Sequence, residues 1–353
     1  MIIPGNITLQ LFVPLFVLLL FSLSCSDMPG RKPFAFGREK EILVICDETV
    51  WEKSENDLRK KLEVPVHAVR WEPIFEIAHL EAQNPGKYQG WDKIVLIESL
   101  EHMQLLPEVV GDSMLKKISE EKGLYFNQVD VWARNQRVAG LAAPTDDLLY
   151  PLIKVHGDRI FQGFLRQLEV REAELMYHSG KNVTLADSLL QNCGFSIVLP
   201  EVYEKIRADS LPENEMLFVQ LDPVRSIFIT WQENPPPLET SQPALAAYRD
   251  SRLTKLYPGM LTVPERVDTS TVSAGGIDRL RVYGVWENRV EISGGVYISQ
   301  IIESPKQNRR YYMDCLLFCP DSKKNKYRYI FQLDHIMDSF ALPENARPDK
   351  GTS

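Results

Sequence analysis

The chain has 353 residues, of which 44% are hydrophobic and 10% aromatic, enough for packed cores and, at this length, for two domains rather than one. Its formal net charge of -8 excludes a nucleic-acid binder built on basic stripes, and equally a protein that docks on anionic lipid by charge. No charged residue lies in Met1 to Ser24, so the imbalance belongs wholly to the chain beyond Ser24.

The first element, Leu11 to Leu23, is almost entirely apolar, interrupted at Pro14 and stopped at Ser24-Cys25. A membrane-spanning helix needs about 20 apolar residues, more than this stretch offers, whereas a secretory leader needs fewer. Ser22-Leu23-Ser24-Cys25 has the arrangement of a bacterial lipobox, in which a small residue directly precedes a cysteine whose thiol takes a diacylglycerol. Residues 1–24 then form a signal peptide, and Cys25 is the lipid attachment site and first mature residue. The leader carries no Lys or Arg before its apolar core and has Ser22 where Leu is commoner, so an uncleaved anchor and an ordinary signal peptide stand as alternatives. Several acyl chains, at about 0.8 kcal/mol per buried CH₂, make a stable anchor. Residues 25–37 read as a tether, which when extended reaches up to roughly 40 Å from the bilayer. The location implied is the bacterial cell envelope, inner or outer membrane undecided. The partners implied are the membrane, through lipidated Cys25, and an envelope protein or glycan, with no nucleic acid.

Residues 38–178 read as a first domain. "EILVICDE" has the length and β-branched content of a buried strand, and Trp51 to Leu62 follows at helical spacing until Pro65. "IFEIAHLE" and "DKIVLIESL" are two more strands, Met114 to Glu121 is a helix, and "VDVWARNQRVAGLAAP" is a long strand or hairpin ending at Pro144. Thr145 with Asp146-Asp147 marks a helix start, where carboxylates suit exposed N–H groups, and Gly157 to Tyr177 continues at helical period. This order predicts a layered sheet, mostly antiparallel, with helices on one face.

"HSGKN", His178 to Asn182, is the boundary, and residues 183–343 form the second domain. Thr184 to Asn192 is a short helix closed by Gly194, and "FSIVLPEVYEKI" opens a new strand system. "MLFVQLD" and "SIFITWQE" pair through Pro223, "ALAAYRDSRLTKLYPG" is a helix, and a Thr-, Ser- and Gly-rich loop runs to Gly276. Strands follow at "RLRVYGVWE", "GVYISQIIES", "RRYYMDCLLFC" and "KYRYIFQL", then a helix from Asp334 to Phe340 and a disordered tail over 344–353. The fold class is α+β: two layered domains, mostly antiparallel sheets packed with helices. Beyond Cys25, the cysteines Cys46, Cys193, Cys315 and Cys319 are too few for a disulfide framework. Cys315 and Cys319, four apart on a strand, stand about 13 Å from each other. Buried free thiols are the plainer reading, with a Cys46 bond to Cys315 or Cys319 as the alternative.

The lipobox, "KEILVICDETVWE", "DVWARNQRVAGLAAP", "YRDSRLTKLYPG" and "YGVWENRVEISGGVYISQI" together resemble a family of uncharacterised envelope lipoproteins of Bacteroidota, catalogued as a domain of unknown function. The resemblance runs from Cys25 to about Phe340. It departs at Gly294-Gly295-Val296, where the family typically has Gly-Gly-Pro, and at Phe318-Cys319-Pro320, where it has Tyr-Ala-Pro. It implies no catalytic residue. More loosely, "CGFSIVLPEVYEKI" and "YIFQLDHIMDSF" are similar to the first strand and the last strand and helix of PsbP-like domains, which implies an antiparallel sheet between helices serving as a binding module.

The residues themselves display no catalytic or cofactor motif. The histidines His67, His79, His102, His156, His178 and His335 are scattered without metal-ligand spacing, and there is no phosphate loop or nucleophile elbow. Asp47-Glu48, at the end of the first strand, are candidates for the carboxylates of a glycosidase, which needs two of them roughly 5 to 9 Å apart. Neighbours on a strand point to opposite faces, so capping of the following helix is the plainer role. In "VWENRVEISGG", Trp286 and Glu287 with Gly294 and Gly295 form a candidate ligand groove; the alternative is a bulged hairpin with Trp286 in the core and the glycines at positive φ. Two function classes follow: a non-enzymatic envelope lipoprotein that binds or scaffolds a partner, and an envelope hydrolase acting on glycan or peptidoglycan. Neither calls for a metal or other cofactor.

Overall fold

The computed structural model describes residues 32–66, 72–83, 85–206 and 211–345. The leader, Cys25, the start of the expected tether and most of the expected tail lie outside the described residues. The chain divides into two compact units, residues 1–55 with 77–155 and residues 56–76 with 156–353. This division by packing falls earlier than His178 to Asn182. The later part of a long helix packs in the second unit, where Phe161 and Phe164 meet Phe75 edge-on and Glu172 accepts from Arg328 and Gln332.

The first unit contains β1 (Glu41–Ile45), the start of α1 (Glu48–Leu62), β2 (Glu76–Leu80), β3 (Lys93–Ser99), α2 (Leu106–Val109), α3 (Asp112–Glu120), β4 (Leu124–Val129), β5 (Arg137–Ala143) and the start of α4 (Leu149–Met176). Its five-stranded sheet has the order β2-β1-β3-β5-β4. β1 lies parallel to β3 and β3 to β5; β4 and β5 form an antiparallel hairpin. The sheet is therefore mixed around a parallel centre, which corrects the expected antiparallel order. The reason lies in the strands themselves: all seven residues of β3 are buried, so both of its faces are covered, and runs without alternation belong in parallel sheets reached by helical crossovers. Helices confined to one face could not bury β3 in this way. One side of the core gathers Leu43, Ile45, Ile94, Leu96 and Val138 with Leu106, Val109 and Ile118.

The segment expected as free tether ends sooner. The Ala35 and Phe36 amides donate to the carbonyls of Arg134 and Gly90, and the Arg134 amide donates to Pro33. Lys32 Nζ reaches the carbonyls of Asp130 and Val131, and the Arg134 guanidinium lies 3.7 Å from the Phe34 ring centre.

The second unit carries α5 (Val183–Cys193), β6 (Glu204–Lys205), β7 (Glu215–Gln220), β8 (Val224–Glu233), α6 (Gln242–Leu253), β9 (Met260–Thr262), β10 (Asp268–Ala274), β11 (Ile277–Asn288), β12 (Ser293–Ser304), β13 (Arg309–Phe318) and α7 (Lys326–Asp338). Its eight-stranded sheet runs β10-β11-β12-β13-β8-β7-β6, with β9 beside β11, and every pairing is antiparallel. Strand periodicity sorts the two faces. On β13, Tyr311, Met313, Cys315 and Leu317 pack with Ile330, Leu333, Ile336 and Met337 of α7, while Tyr312 and Leu316 face Leu245, Ala246 and Leu253 of α6. The sheet thus sits between helices, and the α+β two-domain class holds.

Three local expectations change. "KYRYIFQL" is not a strand but the first part of α7: Tyr327, Ile330, Leu333, Ile336 and Met337 are buried at steps of three and four, a helical period that the alternating Tyr327, Tyr329 and Phe331 conceal. The Thr- and Ser-rich loop contains β9 and the edge strand β10, whose mostly exposed residues give no apolar signal. Phe195, Ile197 and Leu199 are core residues outside the named strands, in a segment that makes only isolated bridges among the described residues, such as Ser196 with Ala341. The boundaries of α5 are as the residues imply: Asn182 accepts from the Leu185 amide and Gly194 takes φ 76°. Cys46, Cys193, Cys315 and Cys319 are free.

Candidate functional site

In the first unit the chain leaves β1 toward β2 on one side and leaves β3 toward β5 on the other. This divergence opens a crevice beyond the carboxyl ends of neighbouring parallel strands, the place where open α/β sheets receive ligands. The crevice, with a cavity volume of about 20 Å³, is lined there by Cys46 and Asp47 after β1, Glu81 after β2, Glu98 and Ser99 at the end of β3, and His102 and Asp146.

Each acidic group has a distinct environment. Asp47 Oδ1 accepts from the Thr49 amide at 2.9 Å and the Thr49 hydroxyl at 2.8 Å, capping α1 as the sequence suggests. Those bonds hold its carboxyl below the usual aspartate value. Its second oxygen takes no hydrogen bond among the described residues. Glu98 is 6% exposed and accepts from the amides of Gln104, Leu105 and Leu106, filling the anion position ahead of α2 with the chain's own carboxylate. Burial nevertheless outweighs those bonds and pushes the Glu98 carboxyl up. His102 Nδ1 lies 3.1 Å from Asp146 Oδ2, and Thr145 makes no side-chain cap, so Asp146 serves this pair rather than the expected Thr-led cap.

Beside the crevice, the His79 ring stacks on Trp51 at 4.6 Å and contacts the Cys46 carbonyl oxygen through Nε2 at 3.0 Å, with Glu48 at 3.6 Å from Nδ1. Cys46 is buried, and burial pushes its thiol up, which makes it a poor nucleophile. Ser99 is 1% exposed and its hydroxyl has no hydrogen-bond partner among the described residues. A buried hydroxyl without a partner costs free energy, so it marks a place where a partner is missing. Sequence pattern singles out Asp47 but not Glu98 and Ser99, whose one signal is a polar pair closing an otherwise apolar strand.

The second unit holds the other candidates. Trp286 is 3% exposed, and its ring lies over Gly295: a Cβ there would meet Trp286 Nε1 at 2.8 Å and the Leu317 carbonyl oxygen at 2.2 Å. Gly294 pairs with Glu287 across the ladder, and Glu287 accepts from Arg289 Nε at 2.7 Å. The space above Gly295 is thus filled by the protein's own indole. Gly294 and Gly295 have ordinary strand conformations, and the positive φ of this hairpin, 51°, falls on Ile292.

Among the described residues no group of three or more His, Cys, Asp or Glu side chains is placed to hold a metal ion, and no helix is long and apolar enough to cross a membrane. Residues 183–339 match a family described as "Domain of unknown function (DUF4837)", and residues 35–176 match another described as "Domain of unknown function (DUF8532)". The single resemblance expected from Cys25 to Phe340 therefore resolves into two adjacent ones. No curated protein matches the chain. Similar solved structures include the Ran-binding protein Mog1p of Saccharomyces cerevisiae, 11% identical over 42% of this chain and 90% of that one, with a TM-score of 0.30. LpqN of Mycobacterium tuberculosis, described as involved in cell envelope biogenesis, is 12% identical over 42% of this chain and 82% of that one, TM-score 0.28. A protein of Bacteroides thetaiotaomicron is 12% identical over 44% and 46%, TM-score 0.25.

Proposed function

We propose that this protein is a lipoprotein of the bacterial cell envelope, held on a membrane through acylated Cys25, whose first unit binds a ligand rather than transforming one. The anchor is supported by the lipobox and by the short reach of chain between Cys25 and the folded body. From Cys25 to Lys32 is seven residues, at most about 23 Å of extended chain, before the backbone pairs with Arg134 and Gly90. Phe34 and Phe36, 61% and 65% exposed, follow directly and suit the interfacial region of a bilayer.

The observation that carries binding over catalysis is the state of the acidic groups at the strand ends. Asp47 gives one oxygen to Thr49, Glu98 is held by three amides and Asp146 by His102, so of these three only Asp47 keeps an oxygen open, whereas a hydrolase needs both an acid and a base. The test is intact mass and membrane fractionation of the protein expressed in a bacterial host, beside Cys25→Ala. The wild type should lose Met1 to Ser24, gain acyl mass and follow the membrane, while the variant stays unacylated. A leader that persists, or a mature wild type without lipid, overturns the anchor.

A further inference from the structure

The crevice has a definite electrostatic sign. Its lining contains Asp47, Glu81, Glu98 and Asp146, one imidazole, and no Lys or Arg. The position an anion would take, at the amides ahead of α2, is already filled by Glu98. A metal ion fits poorly, since no three candidate ligands converge among the described residues. What the crevice offers is hydrogen-bond acceptance: the second oxygen of Asp47 and the buried hydroxyl of Ser99, both without a partner among the described residues. A primary ammonium group donates three hydrogen bonds, carries the charge the carboxylates lack, and is small enough for the closed end between the strands.

We propose that this crevice is a binding site for a small organic cation bearing a primary ammonium group, with the Asp47 carboxylate and the Ser99 hydroxyl as its acceptors. This deepens, and rests on, the reading of the first unit as a binding module. It is independent of the lipid anchor. The side chains at the two strand ends have different parts: Asp47 supplies charge and sets affinity, and Ser99 supplies a neutral acceptor that orients the head group.

The experiment is calorimetric titration of the full-length protein in detergent, at fixed ionic strength, with ethylammonium chloride, ethanol and sodium acetate as separate probes. Wild type should bind ethylammonium saturably and the other two not at all. Asp47→Asn should weaken ethylammonium about tenfold or more, the effect of a hydrogen bond to a charged group, and Ser99→Ala severalfold. Circular dichroism of each variant separates lost binding from lost fold, and Ser99→Ala, which removes no bond of the described fold, keeps the test decisive if Asp47→Asn unfolds. Binding of ethylammonium that neither folded variant weakens overturns the site. If ethanol or acetate binds there and ethylammonium does not, the crevice is a binding site but the ammonium assignment is wrong. If none of the three binds, both the assignment and the binding reading of the crevice fall.

Discussion

The core of the second unit and the crevice of the first treat buried charge in opposite ways, although the first unit also holds a buried Asp92–Lys93 pair away from the crevice. In the second unit, Asp314 is fully buried but takes Arg249 Nε at 2.8 Å, the Ser299 hydroxyl at 2.6 Å and the Tyr312 hydroxyl at 3.1 Å. Arg281 joins both Asp334 and Asp338, and Arg279 donates to the carbonyls of Met337 and Phe340 at the end of α7, where cations suit the helix. These carboxylates face arginines that neutralise them, a closed arrangement with a structural role. In the first unit, the acids at the strand ends face backbone amides, a threonine and a histidine, and among the described residues no arginine or lysine lines their crevice and Ser99 is left without a partner. The difference separates interior carboxylates that arginines neutralise within a fold from carboxylates in a crevice that no arginine or lysine lines.

Breaking the paired region should have the largest effect. Arg249→Ala leaves Asp314 buried and uncompensated and should cost about 3–5 kcal/mol in chemical denaturation. Replacing both partners, Arg249→Met with Asp314→Leu, should cost less than the sum of the single changes, because no charge is stranded. Glu98→Gln comes next. The amide keeps one acceptor but turns donors toward the amides of Gln104 to Leu106, and should cost about 1–3 kcal/mol, read by the same method.

The pH dependence sharpens the contrast within the crevice itself. Asp47 is lowered from 3.8, so its contribution is present above that value and is lost as pH falls through the depressed folded value. Glu98 is raised from 4.5, so its contribution is complete below that value and is lost as pH rises through the elevated folded value. Stability of wild type relative to Asp47→Asn should therefore shrink toward low pH, and relative to Glu98→Gln should shrink toward neutrality. Denaturation curves from about pH 3 to 7 distinguish the two slopes.

Much of the fold is legible in the residues. The apolar runs of β1 and β3, the cap and stop of α5 at Asn182 and Gly194, and the long strands β11 to β13 all sit where their patterns place them. What the pattern misses is partner choice and disguise. A wholly buried strand such as β3 does not state its neighbour's direction, so the parallel centre of the first sheet is hidden from local spacing. The aromatic alternation at Tyr327 masks a helix, and an exposed edge such as β10 carries no apolar pattern. The site is half legible. Asp47 ends an obvious strand, but Ser99 joins it only because β1 and β3 pair in parallel, a fact of topology that no local spacing records. Trp286 and Gly295 stand out by composition and prove to be each other's packing partners.

The central claim, that the Ser99 hydroxyl has no partner among the described residues and belongs to a ligand, is tested most directly by the stability of Ser99→Ala in the absence of any ligand. Deleting a hydroxyl that has no partner should leave the denaturation midpoint unchanged or raise it by up to about 1 kcal/mol in stability. A loss of more than about 1 kcal/mol would show that the hydroxyl already holds the fold together, and would contradict the account.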